Sequence, residues 1–402
     1  RFCKQALAWK IPALIVGVGL VASASVQAAT ADTTTDATET TATAAAAAAT
    51  SSDDPGSIVV RPAGSEPTLL IGGLIQGQFD GGDKGDARFA NDNDRFYLRR
   101  ARLNATGKFL EDFDFRFEMD LSNNLGNTSA ERAQLTDGYI NWNHFSYLNV
   151  RVGQFKTPFG FEQLYGDPKL QTIERSLAND RLTLNRQVGL QIAGDLLDKH
   201  LAYALGAFNG NGTNNSFNDN DKFDWVGRVV VTPWRGQLMG DPASFAIAAN
   251  GFTAEDTALA LSSDLGIDST PTTADRDGIF TGKRRGQGVD SQFITGRFEV
   301  WGEYLNTRYE PTNDIPKSQF KAKGGYLQAS FYIVPKKFQI VAKQETFDPN
   351  DTVKNDQTNA TTLGLNYYIR GNDLKVMLDY LRVKVGQQDS QDKFIARLQV
   401  GF

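Results

Sequence analysis

Three arginines, Arg99, Arg100 and Arg102, crowd into four consecutive positions of a segment that runs on through Asn104 to Lys108. In an extended chain successive side chains point to opposite faces. Arg100, Arg102, Asn104 and Lys108 then share one face, against Ala101, Leu103 and Ala105 on the other. Arg151 stands likewise opposite Leu148, Val150 and Val152. Guanidinium groups converging on one surface can hold phosphate or carboxylate through charge-assisted hydrogen bonds. They can equally pair along a wall, and Asp114, Glu118 and Asp120 of the next segment offer the carboxylates for that. Neither use makes or breaks bonds. The chain has only His144, His200 and Cys3, with no His-x-x-x-His and no Gly-x-Ser-x-Gly, so zinc- and serine-hydrolase chemistry lacks its residues. No enzyme activity, cofactor or metal is expected.

The elements that must position these groups show a period of two from Leu69 to Phe402. Phe113, Phe115, Phe117, Met119 and Leu121 alternate with Asp114, Arg116, Glu118 and Asp120, and Leu363, Leu365, Tyr367 and Ile369 alternate with Thr362, Asn366 and Arg370. Sixteen such segments begin near Leu69, Arg95, Phe113, Ala133, Tyr147, Leu184, Leu201, Phe223, Ala243, Gly288, Arg297, Phe320, Lys337, Thr358, Leu374 and Asp392. Their connections alternate long and short. Lys156–Thr183 and Glu255–Gln287 are long, whereas Gly296, Pro335 and Gly371–Asp373 mark tight turns. A soluble sandwich has no reason to sort its loops in this way, whereas outer-membrane barrels have short periplasmic turns, long extracellular loops and an even strand count. Mean hydropathy is −0.37 and no apolar run is long enough for a helix to span, so membrane residence requires the barrel, where backbone hydrogen bonds close between strands. The expected fold for residues 69–402 is therefore all-β, a 16-stranded antiparallel transmembrane β-barrel. The last segment, Phe394 to Phe402, ends on an aromatic residue, as outer-membrane sorting signals do.

Lys4 and Lys10 precede an apolar run, Ile11 to Ala22, and the small-residue site Val26-Gln27-Ala28. Residues 1–28 thus read as a secretory signal peptide, which places the protein in the bacterial outer membrane among lipid and lipopolysaccharide. Residues 29–68, rich in Ala and Thr, read as a disordered linker. Cleavage would take Arg1, Lys4 and Lys10 from the 42 basic residues, leaving 39 against 47 acidic and a net charge of −8. Nucleic acid is not an expected partner, since a binder needs a basic footprint.

With apolar positions facing lipid, their alternates line a water-filled lumen, where rings of charge decide which ions enter. Arg99 has the parity of the lipid face, so it is either a rim residue or turned inward by a bulge. Lys321 and Lys323 share the parity of Leu327, Ala329, Phe331 and Ile333, which leaves them equally ambiguous; their place ahead of the apolar stretch favours the loop-side rim. The Lys156–Thr183 connection is long and contains prolines and aromatic residues. It is expected to fold into the lumen as a constriction carrying Lys156, Pro158, Phe159, Gly160 and Glu162, with a surface flap as the other reading.

The stretches YLRRARLNATG (Tyr97 to Gly107), DLSNNLG (Asp120 to Gly126), LTDGYINW (Leu135 to Trp142), VGQFKTPFGFE (Val152 to Glu162) and ERSLANDR (Glu174 to Arg181) occur in this order. Together with KAKGGYLQ (Lys321 to Gln328) they resemble the phosphate-selective porin O and P family over nearly all of residues 69–402. The resemblance implies a homotrimer of sixteen-stranded barrels, a third extracellular loop folded into the pore, and passage of small anions such as phosphate past basic residues. Carried over by motif, the paired arginines are Arg99 and Arg100 and the lysines are Lys321 and Lys323. Arg102, Arg151, Lys156, Arg175 and Arg181 complete the expected pore-lining set. Two positions depart from the pattern. Phosphate-selective members carry a lysine after the Glu of the Pro-Phe-Gly-x-Glu motif, where this chain has Gln163, and Phe252–Ala274 has no basic residue where an arginine staircase would lie. The expected function is passive diffusion of small anions without tight phosphate discrimination. The alternatives are a general, carboxylate or sugar porin of the same fold, and a non-transporting surface protein.

Overall fold

The computed structural model describes residues 58–59, 68–89, 94–122, 133–261, 265, 279–312 and 319–402. A two-residue strand, β1 (Ile58–Val59), precedes sixteen longer ones. These are β2 (Thr68–Gly82), β3 (Arg95–Phe109), β4 (Phe113–Asp120), β5 (Gln134–Phe145), β6 (Leu148–Lys156), β7 (Arg186–Leu196), β8 (Leu201–Phe208) and β9 (Asp224–Leu238). They continue as β10 (Asp241–Ala260), β11 (Ile279–Thr295), β12 (Phe298–Pro311), β13 (Phe320–Val334), β14 (Phe338–Asp348), β15 (Thr358–Arg370), β16 (Leu374–Val385) and β17 (Gln391–Gly401). Each of β2–β17 pairs antiparallel with the next, and β17 returns to β2 from Lys393↔Gly82 to Gly401↔Leu74. The result is a closed, sixteen-stranded, all-β barrel with no free sheet edge along its wall.

The period-two pattern sorts the two faces as the alternation requires. On β15, Leu363, Leu365, Tyr367 and Ile369 lie on the exposed outer surface, whereas Thr362 and Asn366 are buried inside. Phe117 and Leu190 point outward in the same way. Tight turns such as 110–112, 197–200 and 371–373 join strands at one end, several of them through left-handed residues (Leu110, Asp198, Gly371), a conformation that fits the twist of tight hairpins.

One expected boundary is corrected. The connection Glu255–Gln287 is not loop throughout, because β10 and β11 run on into it, pairing Glu255↔Lys283 and Leu259↔Phe280. Its charged and glycine-rich sequence hides the alternation that the backbone ladder nevertheless continues. The sheet also draws on two residues ahead of β2. Phe402 exchanges backbone hydrogen bonds with Gly73, where β17 ends, so Leu70 and Ile71 would lack partners on that side. Ile58 and Val59 take those places, within the stretch read as disordered. The expected signal peptide, residues 1–28, and the rest of the linker up to 67 lie outside the described residues.

Arginine at Leu190 or Leu365, near the middle of outward-facing strands, should cost roughly 2–4 kcal/mol. Equilibrium folding into lipid vesicles under a urea titration measures this. Stability equal to the parent chain in both variants would contradict lipid contact at these positions.

Candidate functional site

Between β6 and β7 the chain turns into the barrel. The base of this third extracellular connection is pinched where Thr157 N–H donates to the Asn185 carbonyl at 2.9 Å. Pro158 follows, buried, and the Phe159 ring meets Phe252 edge-on at 4.8 Å. Gly160 then adopts φ +83°, a left-handed conformation, and a Cβ there would lie 2.7 Å from Thr183 Cγ2. Glycine suits the position on both counts.

The wall holds the loop by complementary groups: carboxylates accept its N–H groups and cations donate to its carbonyls. Glu303 on β12 accepts from the N–H of Phe161 (2.5 Å) and Glu162 (3.3 Å), at the start of the short helix Phe161–Leu164. Glu345 accepts from Leu177 N–H, opening the helix Leu177–Leu182, and Asp379 accepts from Ile173 N–H. In return Lys375 donates to the Leu170 carbonyl and Arg397 to that of Ile173. The loop's own Glu162 carboxylate lies 2.6 Å from Lys343 Nζ and accepts from Ser176 N–H. Apolar contacts complete the seat, with Phe161 and Tyr165 packed on Trp301.

The charged core of the site faces β3. Asp167, at the tip of the loop, lies 3.2 Å from Arg100, 2.5 Å from Arg102 and 2.6 Å from Arg175. Glu174 lies between Arg99 (2.9 Å) and Arg397 (2.7 Å). Burial raises both acids, but the surrounding cations outweigh it and hold each carboxyl below the usual carboxylate range, for Asp167 chiefly Arg100, Arg175 and Arg102 and for Glu174 chiefly Arg99 and Arg397. Arg102 also pairs with Asp120 (2.8 Å), Arg116 with Glu118 (2.5 Å), and Arg186 with Asp137 (2.8 Å). Among the described residues five guanidiniums, those of Arg100, Arg102, Arg116, Arg175 and Arg186, thus share the four carboxylates Glu118, Asp120, Asp137 and Asp167.

Arg99 is the extra residue of a bulge, since the register passes from Gln76↔Arg100 to Gly77↔Leu98, and this carries it to the inward side with Arg100. Lys156 lies at the mouth of the cluster, its Nζ 3.4 Å from the Tyr165 carbonyl. Arg175 ties the loop to itself through the carbonyls of Glu162 and Tyr165. Arg181 pairs with Asp180 and donates to the Ala87 carbonyl of the first extracellular loop. Arg151 is buried away from this loop, its guanidinium 4.1 Å above the Tyr139 ring. Lys321 and Lys323 correct the motif-based assignment. They stand on the outer face in the parity of the lipid-exposed Leu327, while Ala322, Gly324 and Tyr326 turn inward. Arg186, Lys343, Lys375 and Arg397 were absent from the expected set. Strand parity marks Lys343, Lys375 and Arg397 as inward, but nothing local in the sequence joins these three to a loop more than a hundred residues away; Arg186, directly after the loop, has the parity of the outward Leu190, which hides its pairing with Asp137.

A family model described as phosphate-selective porin O and P matches residues 70–402. Porin O of Pseudomonas aeruginosa is 24% identical over 408 residues, covering 86% of this chain and 91% of that protein. Among solved structures, the outer-membrane-expressed OmpT of Vibrio cholerae aligns with a TM-score of 0.59 at 12% identity, covering 86% of this chain and all of that one. An anion-selective porin from Comamonas acidovorans aligns at 0.58 with 13% identity, over 84% of this chain and all of that one. At such identities the structural likeness speaks for the fold alone.

The depressed acids fix the sign of a pH effect. Their contribution to loop seating is complete above the unfolded carboxylate range and is lost as pH falls through the lower folded values. Protonation of these two acids should loosen the loop only below about pH 4, so the difference in proteolysis within 157–185 between the parent and Asp167→Asn should persist from pH 7 down to about 5. Asp167→Asn, which leaves three guanidiniums without their shared carboxylate, should destabilise the seated loop by about 3 kcal/mol or more. Raised proteolysis within 157–185 in that variant would report it.

Proposed function

The chain belongs to the phosphate-selective porin O and P family, and from that premise we propose that it is a passive outer-membrane channel with a moderate preference for small anions. The observation that carries this reading is the charge balance beside the inward loop, where five guanidiniums meet four carboxylates and Lys156 stands next to them. Arg99 and Arg397 sharing the single Glu174 add a further cation. Low-dielectric walls strengthen such a local excess, so it outweighs the acidic total of the distant loops.

Tight phosphate discrimination needs several free donors converging on one point. The Gln163 amide turns away to Asn185 Oδ1 at 2.9 Å. Of the residues that could replace a staircase, Arg284 is inward but held by Asp256 at 2.6 Å, while Lys283 and Arg285 point outward. Arg276 lies outside the described residues. A sugar channel would display aromatic side chains along the path, whereas Phe155, Phe159, Phe161 and Tyr165 are buried in the interior, which favours the anion reading. Export by a signal peptide spanning residues 1–28, a linker up to residue 68 and assembly as a homotrimer belong to the same proposal.

Reversal potentials in a KCl gradient test the preference, and the expected sign is anion-selective. Arg116→Glu should lower the anion-to-cation permeability ratio by about twofold or more. Cation selectivity of the parent channel would overturn the proposal, and strong block of the chloride current by micromolar phosphate would overturn the weak discrimination.

A further inference from the structure

Like charges placed directly opposite on neighbouring strands repel one another. The register nevertheless sets Arg285 against Arg308 and Arg308 against Lys321, three cations in one row across β11, β12 and β13. All three point outward and are exposed. Neighbouring strands lie about 4.8 Å apart, so the row spans roughly 10 Å. Lys283 and Lys323 flank it on the same face. Partial neutralisation comes from Glu310, shared by Arg285 (3.2 Å) and Arg308 (3.0 Å), from Glu255 beside Lys283 (3.8 Å) and from Asp348 beside Lys323 (3.5 Å). Asp351 adds a fourth carboxylate, accepting from the Lys321 backbone N–H at 2.8 Å, so five cations face four carboxylates, and the Lys321 ammonium itself has no ion pair among the described residues.

Height in the membrane says what kind of anion fits. Along the same outward face the next row is polar, Gln287, Asn306 and Lys323, and the row after it brings the exposed Val289 and Tyr304 of the lipid band. The cations sit one to three rows above hydrocarbon, at the loop end of the wall, which is where the outer leaflet carries its headgroups. From this we infer that the outer face of β11–β13 is a binding site for the phosphate groups of the outer-leaflet glycolipid, the lipid A portion of lipopolysaccharide. The inference rests on outer-membrane residence and not on ion selectivity. A lipid phosphate supplies the counter-charge that the row lacks, and its acyl chains lie along Val289, Tyr304 and Leu327 below.

The full-length protein with Arg285→Gln, Arg308→Gln and Lys321→Gln tests the assignment, read by native mass spectrometry and by titration with diphosphoryl lipid A in detergent. The triple variant should bind at least about ten-fold more weakly than the parent. Arg382→Gln, another exposed cation, and channel conductance should both leave their readings unchanged. If the triple variant does not fold, Lys321→Gln alone should still weaken binding by about three-fold. Equal affinity of parent and variant, equal binding of lipid A stripped of both phosphates, or full displacement by millimolar inorganic phosphate would overturn the inference. Loss of a multimer with lipid binding unchanged would overturn it too, by making the row a contact between copies of the chain.

Discussion

In hydrocarbon no water is present to satisfy a backbone N–H or C=O, so a strand can lie there only when both of its edges are paired. That constraint explains why β17 must return to β2, why the terminal Phe402 exchanges backbone bonds with Gly73, and why β1 takes the short stretch of β2 that β17 leaves open. Closure also forces the chemistry of the two faces. Each strand must present apolar side chains outward, and whatever polar groups the chain carries then fall on the inside.

An interior built in this way is crowded with charge, and the inward loop is seated by it. Seen from the wall, Glu303, Glu345 and Asp379 supply acceptors for N–H groups that the short helices and turns leave unsatisfied, and Lys375 and Arg397 supply donors for free carbonyls. A buried ion pair adds little net stability over an apolar substitute, yet removing one partner is expensive. Such contacts therefore select one seated position for the loop more than they strengthen the fold. Around Asp167 they set five guanidiniums against four carboxylates, so cations gather locally in a chain whose total charge is acidic.

Alternation made the barrel legible, because lipid on one side and charge on the other leave a signal within a single strand. Phe113 to Asp120 shows it without help from any other segment. The pattern fails where the strand rises above the membrane, as at Lys283 to Gly288, since nothing there requires an apolar outer face. The bulge at Arg99 was open to two readings, for one extra residue reverses parity without a mark in the sequence. The partners of the loop were not legible at all. Glu162 and Lys343 are 181 residues apart, and which inward lysine meets which loop carboxylate depends on the closed circumference rather than on any local pattern.

Lys321 and Lys323 show how parity and motif can disagree. The family motif placed them in the pore; their parity placed them with Leu327, and the outer face is where they stand. The neighbouring pair Arg284 and Arg285 makes the physical point in two consecutive residues. Arg284 enters the closed interior, where an unpaired charge is costly, and it is matched by Asp256 at 2.6 Å. Arg285 faces the rim, where water and headgroups solvate it, and it shares Glu310 with Arg308 at 3.2 Å while more than half exposed. At the buried Arg284 the protein provides its own counter-ion. Outside it can leave counter-ions to the membrane, so an excess of cations at the rim is tolerated there and is free to become a point of recognition.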